Sequence, residues 1–168
     1  MSAPVINVLF LCTGNSARSV MSEALLTSLG NGRFQGYSAG SHPTGQVNPF
    51  AIEQIRQFDP SYRTDDLRSK SWNDFASPGA PKMDVIITVC DNAAGETCPY
   101  WPGRPATAHW GYADPAAVEG SDEAKRAAFA KTFDQIRRRI EAFTALPIEA
   151  MSFEAVSSAA KKIGEMAV

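Results

Sequence analysis

The sequence predicts an α/β fold in which a parallel sheet is covered by helices. Three observations predict it. Apolar runs of strand length alternate with stretches of helical spacing along the chain. The strongest run, Val5–Leu11, is apolar on both faces, as a central strand of a covered sheet must be. A second strong strand-like run stands at Asp84–Val89.

Val5–Leu11 reads as the first strand. Ser19–Leu29 reads as a helix, closed by Gly30 and Gly32. Phe34–Ser38 is a short strand. Asn48–Phe58 is a helix with Pro49 suited to its first turn and Ile52, Ile55 and Phe58 at helical spacing. Residues 60–83 are polar and rich in Pro, Ser and Asp, giving loop and one short helix near Ser71–Phe75. Asp84–Val89 is the second strong strand. Residues 90–104 hold Gly95, Pro99, Pro102 and Gly103 and read as a long loop, a feature that is usually functional inside a compact domain. Ala106–Trp110 is a short strand. Ser121–Leu146 is a long amphipathic helix with Ser121 as N-cap, Asp122 and Glu123 in its first turn, and a stripe through Phe129, Phe133, Ile136, Ile140 and Phe143. One domain is expected over residues 1–146. Residues 147–168, set apart by Pro147, form a weakly amphipathic helical tail with no chemistry assigned.

Composition narrows the function. The chain has 168 residues, 44% hydrophobic and 20% charged, with a formal net charge of −2. No overall field favours nucleic acid or an anionic membrane, so neither is an expected partner. No apolar run approaches the length of a membrane span. Met1-Ser2-Ala3-Pro4-Val5 lacks the basic and apolar regions of a signal peptide, and a cytoplasmic location is expected. Three cysteines are an odd number for a stapled secreted scaffold, and the two histidines, His42 and His109, do not pair with them at zinc-finger spacing.

The chemistry concentrates in Cys12-Thr13-Gly14-Asn15-Ser16-Ala17-Arg18-Ser19. A strand leads in and a helix leads out. A thiolate at Cys12 would face backbone N–H groups and the positive end of the helix dipole. The N–H groups of Thr13 to Arg18 can cradle a tetrahedral oxyanion over the sulfur, and Arg18 can bind two of its oxygens with a planar fork. That setting is expected to acidify Cys12 into the range of about 3.5–7.5. Asn15 tolerates left-handed backbone and can hydrogen-bond across the loop. Ser19 Oγ could donate to the Cys12 thiolate or simply cap the helix.

Two further constellations follow. Cys90 and Cys98 are separated by turn formers, so a turn could bring them within the ~4.4–6.8 Å Cα separation of a disulfide. The alternative is two thiols that fill space. Cys12 and Cys90 each stand immediately after a strand. If those strands are neighbours, both sulfurs share one sheet edge, outside the carboxyl ends of the strands. Three thiols then permit a relay: Cys12 attacks an oxyanion, Cys90 attacks Cys12 and expels a two-electron-reduced product, and Cys98 attacks Cys90. Asp114-Pro115 is either a turn before a helix or a general acid over the cradle.

The loop Cys12–Ser19, Met21-Ser22-Glu23, Tyr37-Ser38-Ala39-Gly40, Val47-Asn48-Pro49, Thr88-Val89-Cys90, Cys98-Pro99, and His109-Trp110-Gly111 with Asp114-Pro115-Ala116 resemble the low-molecular-weight tyrosine phosphatase superfamily. More narrowly, they resemble its thioredoxin-coupled arsenate reductase branch. The resemblance covers roughly residues 5–143. It implies a three-layer fold with a four-stranded parallel sheet. It implies Cys12 as nucleophile, Arg18 as oxyanion binder, Ser19 as thiolate partner, Cys90 and Cys98 as resolving cysteines, and Asp114 as acid. Arsenate is the implied substrate. No tightly bound cofactor is implied, and thioredoxin or a glutaredoxin/glutathione pair is the implied electron donor. Some members bind potassium, and the matching positions here are Asn15, Glu23, Ser38 and Asp66. Ala17 stands where phosphatases often carry a second loop cysteine, and Ala116-Ala117 where they carry aromatic residues. The alternatives are a phosphatase for phosphotyrosine or a small ester, using Cys12, Arg18 and Asp114 only, and a phosphocysteine carrier.

Overall fold

A computed structural model describes residues 5–90 and 105–168. Four strands, β1 (Ile6–Leu11), β2 (Phe34–Ala39), β3 (Val85–Thr88) and β4 (Ala106–His109), form one sheet in the order β2-β1-β3-β4, parallel throughout. The helices of the described residues are α1 (Arg18–Leu29), α2 (Pro49–Phe58), α3 (Asp122–Thr144) and α4 (Phe153–Gly164). Short 3-10 turns lie at Thr64–Asp66, Trp72–Phe75, Pro115–Ala117 and Ile148–Ala150.

The side-chain alternation of the central strands builds two cores. Val8 and Phe10 of β1, with Val85 and Ile87 of β3, enter the larger core beside residues of all four helices. Leu9, Leu11 and Ile86 point the other way and pack with Ala39, Phe75 and Met83. The short helix expected near Ser71–Phe75 is the 3-10 turn that delivers Phe75 to this second face. The Ser71 hydroxyl accepts the Asn73 N–H as its cap.

The helix ends follow local chemistry. Asn48 and Ser121 cap α2 and α3 with their side-chain oxygens, at 2.9 and 3.2 Å. Ser19 is not a cap: α1 already begins at Arg18, and Ser19 is wholly buried within its first turn. Gly30 does not end α1 in a left-handed conformation, for its φ is −69°. It is required by close packing instead. A Cβ there would sit 2.7 Å from the Leu26 carbonyl and 2.8 Å from the Phe34 Cβ.

Residues 147–168 include a helix packed on the body of the fold. Val156, Ala160 and Ile163 are buried in the main core, and α4 lies along β4. The Trp110 indole N–H donates to the Ala160 carbonyl at 2.9 Å. Arg33 clamps the start of this segment, with a bidentate pair to Glu149 at 2.7 Å and bonds to the Thr144 and Leu146 carbonyls. No described helix is long and apolar enough to cross a membrane.

Candidate active site

The loop after β1 is held by its carbonyls. Thr13 O accepts from His42 N at 2.9 Å, Gly14 O from Thr44 N at 3.0 Å and Ser16 O from Asn48 N at 2.8 Å. The Ser69 hydroxyl adds a second bond to Gly14 O. A trans peptide points its C=O and the following N–H in opposite directions. Tying these carbonyls to the surrounding segments therefore turns the N–H groups of Gly14, Asn15 and Ala17 toward the inner face of the loop.

Asn15 is the pivot. It is fully buried, with φ at +47°, in the left-handed region expected of it. Its amide donates to Ser19 Oγ at 2.8 Å and accepts the Lys70 backbone N–H at 2.9 Å. Gly40 closes the floor, since a Cβ there would collide with the Thr13 carbonyl and sit 2.7 Å from the Cys12 carbonyl. Nothing local in the sequence marks Ser69 and Lys70, which reach the loop from more than fifty residues away.

Because β1 and β3 are neighbours, Cys12 and Cys90 meet at one sheet edge. Both sulfurs are buried. The Thr13 N–H points at Cys90 Sγ from 3.4 Å, and the Thr13 hydroxyl lies 3.7 Å from the same sulfur. This proximity reverses one expectation. The Cys12 thiol is pushed up from its ordinary value, first by its hydrogen bond with Cys90 and then by burial. Arg18 and the Thr13 N–H pull it down, as the sequence suggests, but with smaller effect. Cys98 and the turn joining it to Cys90 lie outside the described residues.

Arg18 spans the mouth of the loop. One terminal nitrogen donates to the Tyr112 carbonyl at 3.0 Å, and the other lies 3.6 Å from Asp114 Oδ2. Its Nε is buried with no hydrogen-bond partner among the described residues. Asp114 takes the turn position of the first of its two expected readings. Oδ1 accepts the Ala116 N–H at 3.0 Å and caps the Pro115–Ala117 turn, while Oδ2 faces Arg18.

The four positions matched to potassium are differently engaged. Ser38 donates to Glu23 Oε1 at 2.6 Å, and the Lys70 ammonium stands 3.7 Å from the same oxygen. Burial pushes the Glu23 carboxyl up, and Lys70 pulls it back. Asp66 is exposed and pairs with Arg63 at 3.3 Å. The Asn15 amide is committed at both ends. With an ammonium already against Glu23, these residues do not fit a second cation, which Lys70 would repel. Among the described residues no cluster of three His, Cys, Asp or Glu side chains could hold a metal.

The family model described as "low molecular weight phosphotyrosine protein phosphatase" matches residues 7–156. The chain belongs to that family. Its relatives within the family include the arsenate reductase of Halalkalibacterium halodurans, 37% identical over 138 residues, covering 81% of this chain and 93% of the relative. The arsenate reductase of Bacillus subtilis is 34% identical, with the same coverage. Among solved structures, an arsenate reductase in its phosphate-binding state superposes with a TM-score of 0.63 at 25% identity, over 84% of this chain and 98% of that one. A low-molecular-weight tyrosine phosphatase from T. tengcongensis shares the fold, with a TM-score of 0.64 at 19% identity, over 81% and 95% of the two chains. Family membership accounts for the shared loop and sheet. The family match stops inside α4, so the second half of that helix is beyond it.

Proposed function

We propose that the protein reduces arsenate to arsenite by a relay through Cys12, Cys90 and Cys98. Cys12 gives its proton to the bound arsenate, and its sulfur attacks the arsenic. A sulfur–arsenic bond forms, and one arsenate oxygen leaves as water with a proton from Asp114. The Cys90 thiolate then attacks Cys12 Sγ. The sulfur–sulfur bond forms as the sulfur–arsenic bond breaks, and its electron pair stays on arsenic. Arsenic(V) becomes arsenic(III) and leaves as arsenite. Cys98 attacks Cys90, releases Cys12 as thiolate, and leaves a Cys90–Cys98 disulfide. An external dithiol supplies the two electrons that reopen it.

The single observation that carries this reading is the placement of Cys90. Its sulfur takes the Thr13 N–H beside the nucleophile, within the same buried pocket as Cys12. A phosphatase has no use for a second thiol there. The inward N–H groups and an Arg18 Nε without a hydrogen-bond partner among the described residues suit a tetrahedral oxyanion, phosphate or arsenate alike. Discrimination comes after capture, because arsenic(V) accepts an electron pair from sulfur and phosphorus(V) does not. Thioredoxin is the proposed donor; a solved thioredoxin-dependent arsenate reductase from Corynebacterium glutamicum has this fold. The cation beside the loop is supplied by Lys70. Residual ester hydrolysis through Cys12, Arg18 and Asp114 is consistent with the family match.

The test is arsenate-dependent NADPH oxidation, run separately with thioredoxin and its reductase and with glutaredoxin plus glutathione. Wild-type protein turns over with thioredoxin. Cys90→Ser loses multiple turnover but retains hydrolysis of a small phosphate ester. Undiminished reductase turnover in Cys90→Ser would sink the relay.

A further inference from the structure

We propose that Arg139 is a positioning residue, setting Arg18 and Asp114 by gripping the Gly111–Tyr112 turn against the end of α4. The proposal rests on the roles given above to Arg18 and Asp114. Arg139 lies near the end of α3 and is 6% exposed. One terminal nitrogen donates to the Gly111 carbonyl at 3.0 Å. The other donates to the Gly164 and Met166 carbonyls at 3.2 and 2.9 Å. Its guanidinium also stacks on the Tyr112 ring, 4.9 Å from the centroid.

These contacts join three parts of the molecule through one buried cation. The last carbonyls of a helix have no partner within it, and a cation there is favoured by the helix dipole. Arg139 satisfies that need for α4. No carboxylate among the described residues pairs with it. Burial keeps the Tyr112 phenol neutral, pushed up to about 12. The buried charge is therefore borne by carbonyl dipoles, and each bond matters more than a surface bond would.

The grip sits next to the site. Gly111 O goes to Arg139, and Tyr112 O, one residue on, takes the Arg18 fork at 3.0 Å. Asp114 follows two residues later and faces the same guanidinium. Displacing Gly111 moves both. The far end of the clamp lies beyond the family match, which ends at residue 156. α4 is itself seated tightly: a Cβ at Gly164 would collide with the His109 carbonyl. The C-terminal helix thus reaches the oxyanion site through Arg139.

The test uses the full chain with Arg139→Met and Arg139→Lys, at a temperature where circular dichroism shows both folded. The readouts are the KM for arsenate and the Kd for inorganic phosphate. Positioning predicts both constants raised about tenfold in Arg139→Met, with Arg139→Lys intermediate because an ammonium lacks the planar fork. A lowered melting temperature with both constants within about twofold of wild type would overturn the proposal. Should Arg139→Met not fold, Gly164→Ala decides by the same criterion, since it keeps Arg139 while forcing the helix end off His109. Wild-type protein that fails to reduce arsenate, yet binds phosphate in an Arg139-dependent way, counts against the reductase reading and not against this one.

Discussion

The Thr13 backbone N–H points at the sulfur of Cys90, 3.4 Å away, rather than serving Cys12 alone. A group that belongs to the oxyanion loop by sequence is shared with a thiol seventy-seven residues later. Cys12 and Cys90 are held in one electrostatic environment, and Cys90 pushes the Cys12 thiol up.

Removing the second thiol should therefore activate the first. The hydrogen bond with Cys90 is the largest influence raising Cys12, and Arg18 and Thr13 N–H act in the opposite sense. In Cys90→Ala the midpoint of Cys12 alkylation by iodoacetamide against pH moves down, and alkylation at neutral pH is faster than in wild type. An unchanged or higher midpoint would show that Cys90 does not restrain Cys12.

Asn15 combines a left-handed backbone with two buried hydrogen bonds. Asn15→Ala loses both bonds and meets the left-handed penalty, and is expected to cost about 2–4 kcal/mol. Asn15→Gly loses the same bonds without that penalty. Urea denaturation should place Asn15→Gly about 1 kcal/mol above Asn15→Ala. Equal stabilities would mean that the backbone conformation is not a constraint.

Lys70→Met leaves the largely buried Glu23 carboxylate without its cation. Burial raises the folded-state pKa of Glu23, so its ionisation opposes folding. That cost is absent below the unfolded pKa and complete above the folded one. Lys70 offsets it in wild type. The variant should lose about 1–3 kcal/mol at pH 8 and distinctly less at pH 5. A loss independent of pH would assign the effect to packing alone. In wild type, exchanging potassium for sodium at constant ionic strength should leave kcat/KM within about twofold, because Lys70 already supplies the charge.

Gly40→Ala places a methyl group against the Thr13 and Cys12 carbonyls, both backbone atoms. The loop must shift and its inward N–H groups with it. The expected result is a rise of about tenfold or more in the Kd for inorganic phosphate, measured by calorimetry, in a protein that remains folded. Wild-type affinity in that variant would show that the loop tolerates the displacement.

Much of this molecule is legible in the residues because its signals are local. Val5–Leu11 is apolar on both faces, and Ile6–Leu11 is the strand buried between two cores. Pro49 and Ser121 announce helices by first-turn and capping chemistry that acts within a few residues. Asn15 shows its left-handed conformation by residue type. Ser19 is the instructive exception. A serine at a helix start reads as a cap, but burial turns its oxygen to the Asn15 amide instead.

The sequence by itself determined the strand-loop-helix device of Cys12 to Ser19, the parallel α/β frame and the set of thiols available for a relay. Those depend on spacing, turn chemistry and hydrophobic period, all read within a dozen residues. Only the tertiary structure decided what surrounds the device. It set Lys70 against Glu23, Ser69 on the Gly14 carbonyl, Arg139 between α4 and the Asp114 turn, and Cys90 against Cys12. Each pairs groups distant in the chain, and each changes an energy no local pattern contains: the desolvation of a buried charge, or the ionisation of one thiol facing another. The loop alone predicts an acidic cysteine. The fold brings in a second sulfur and burial, and raises it.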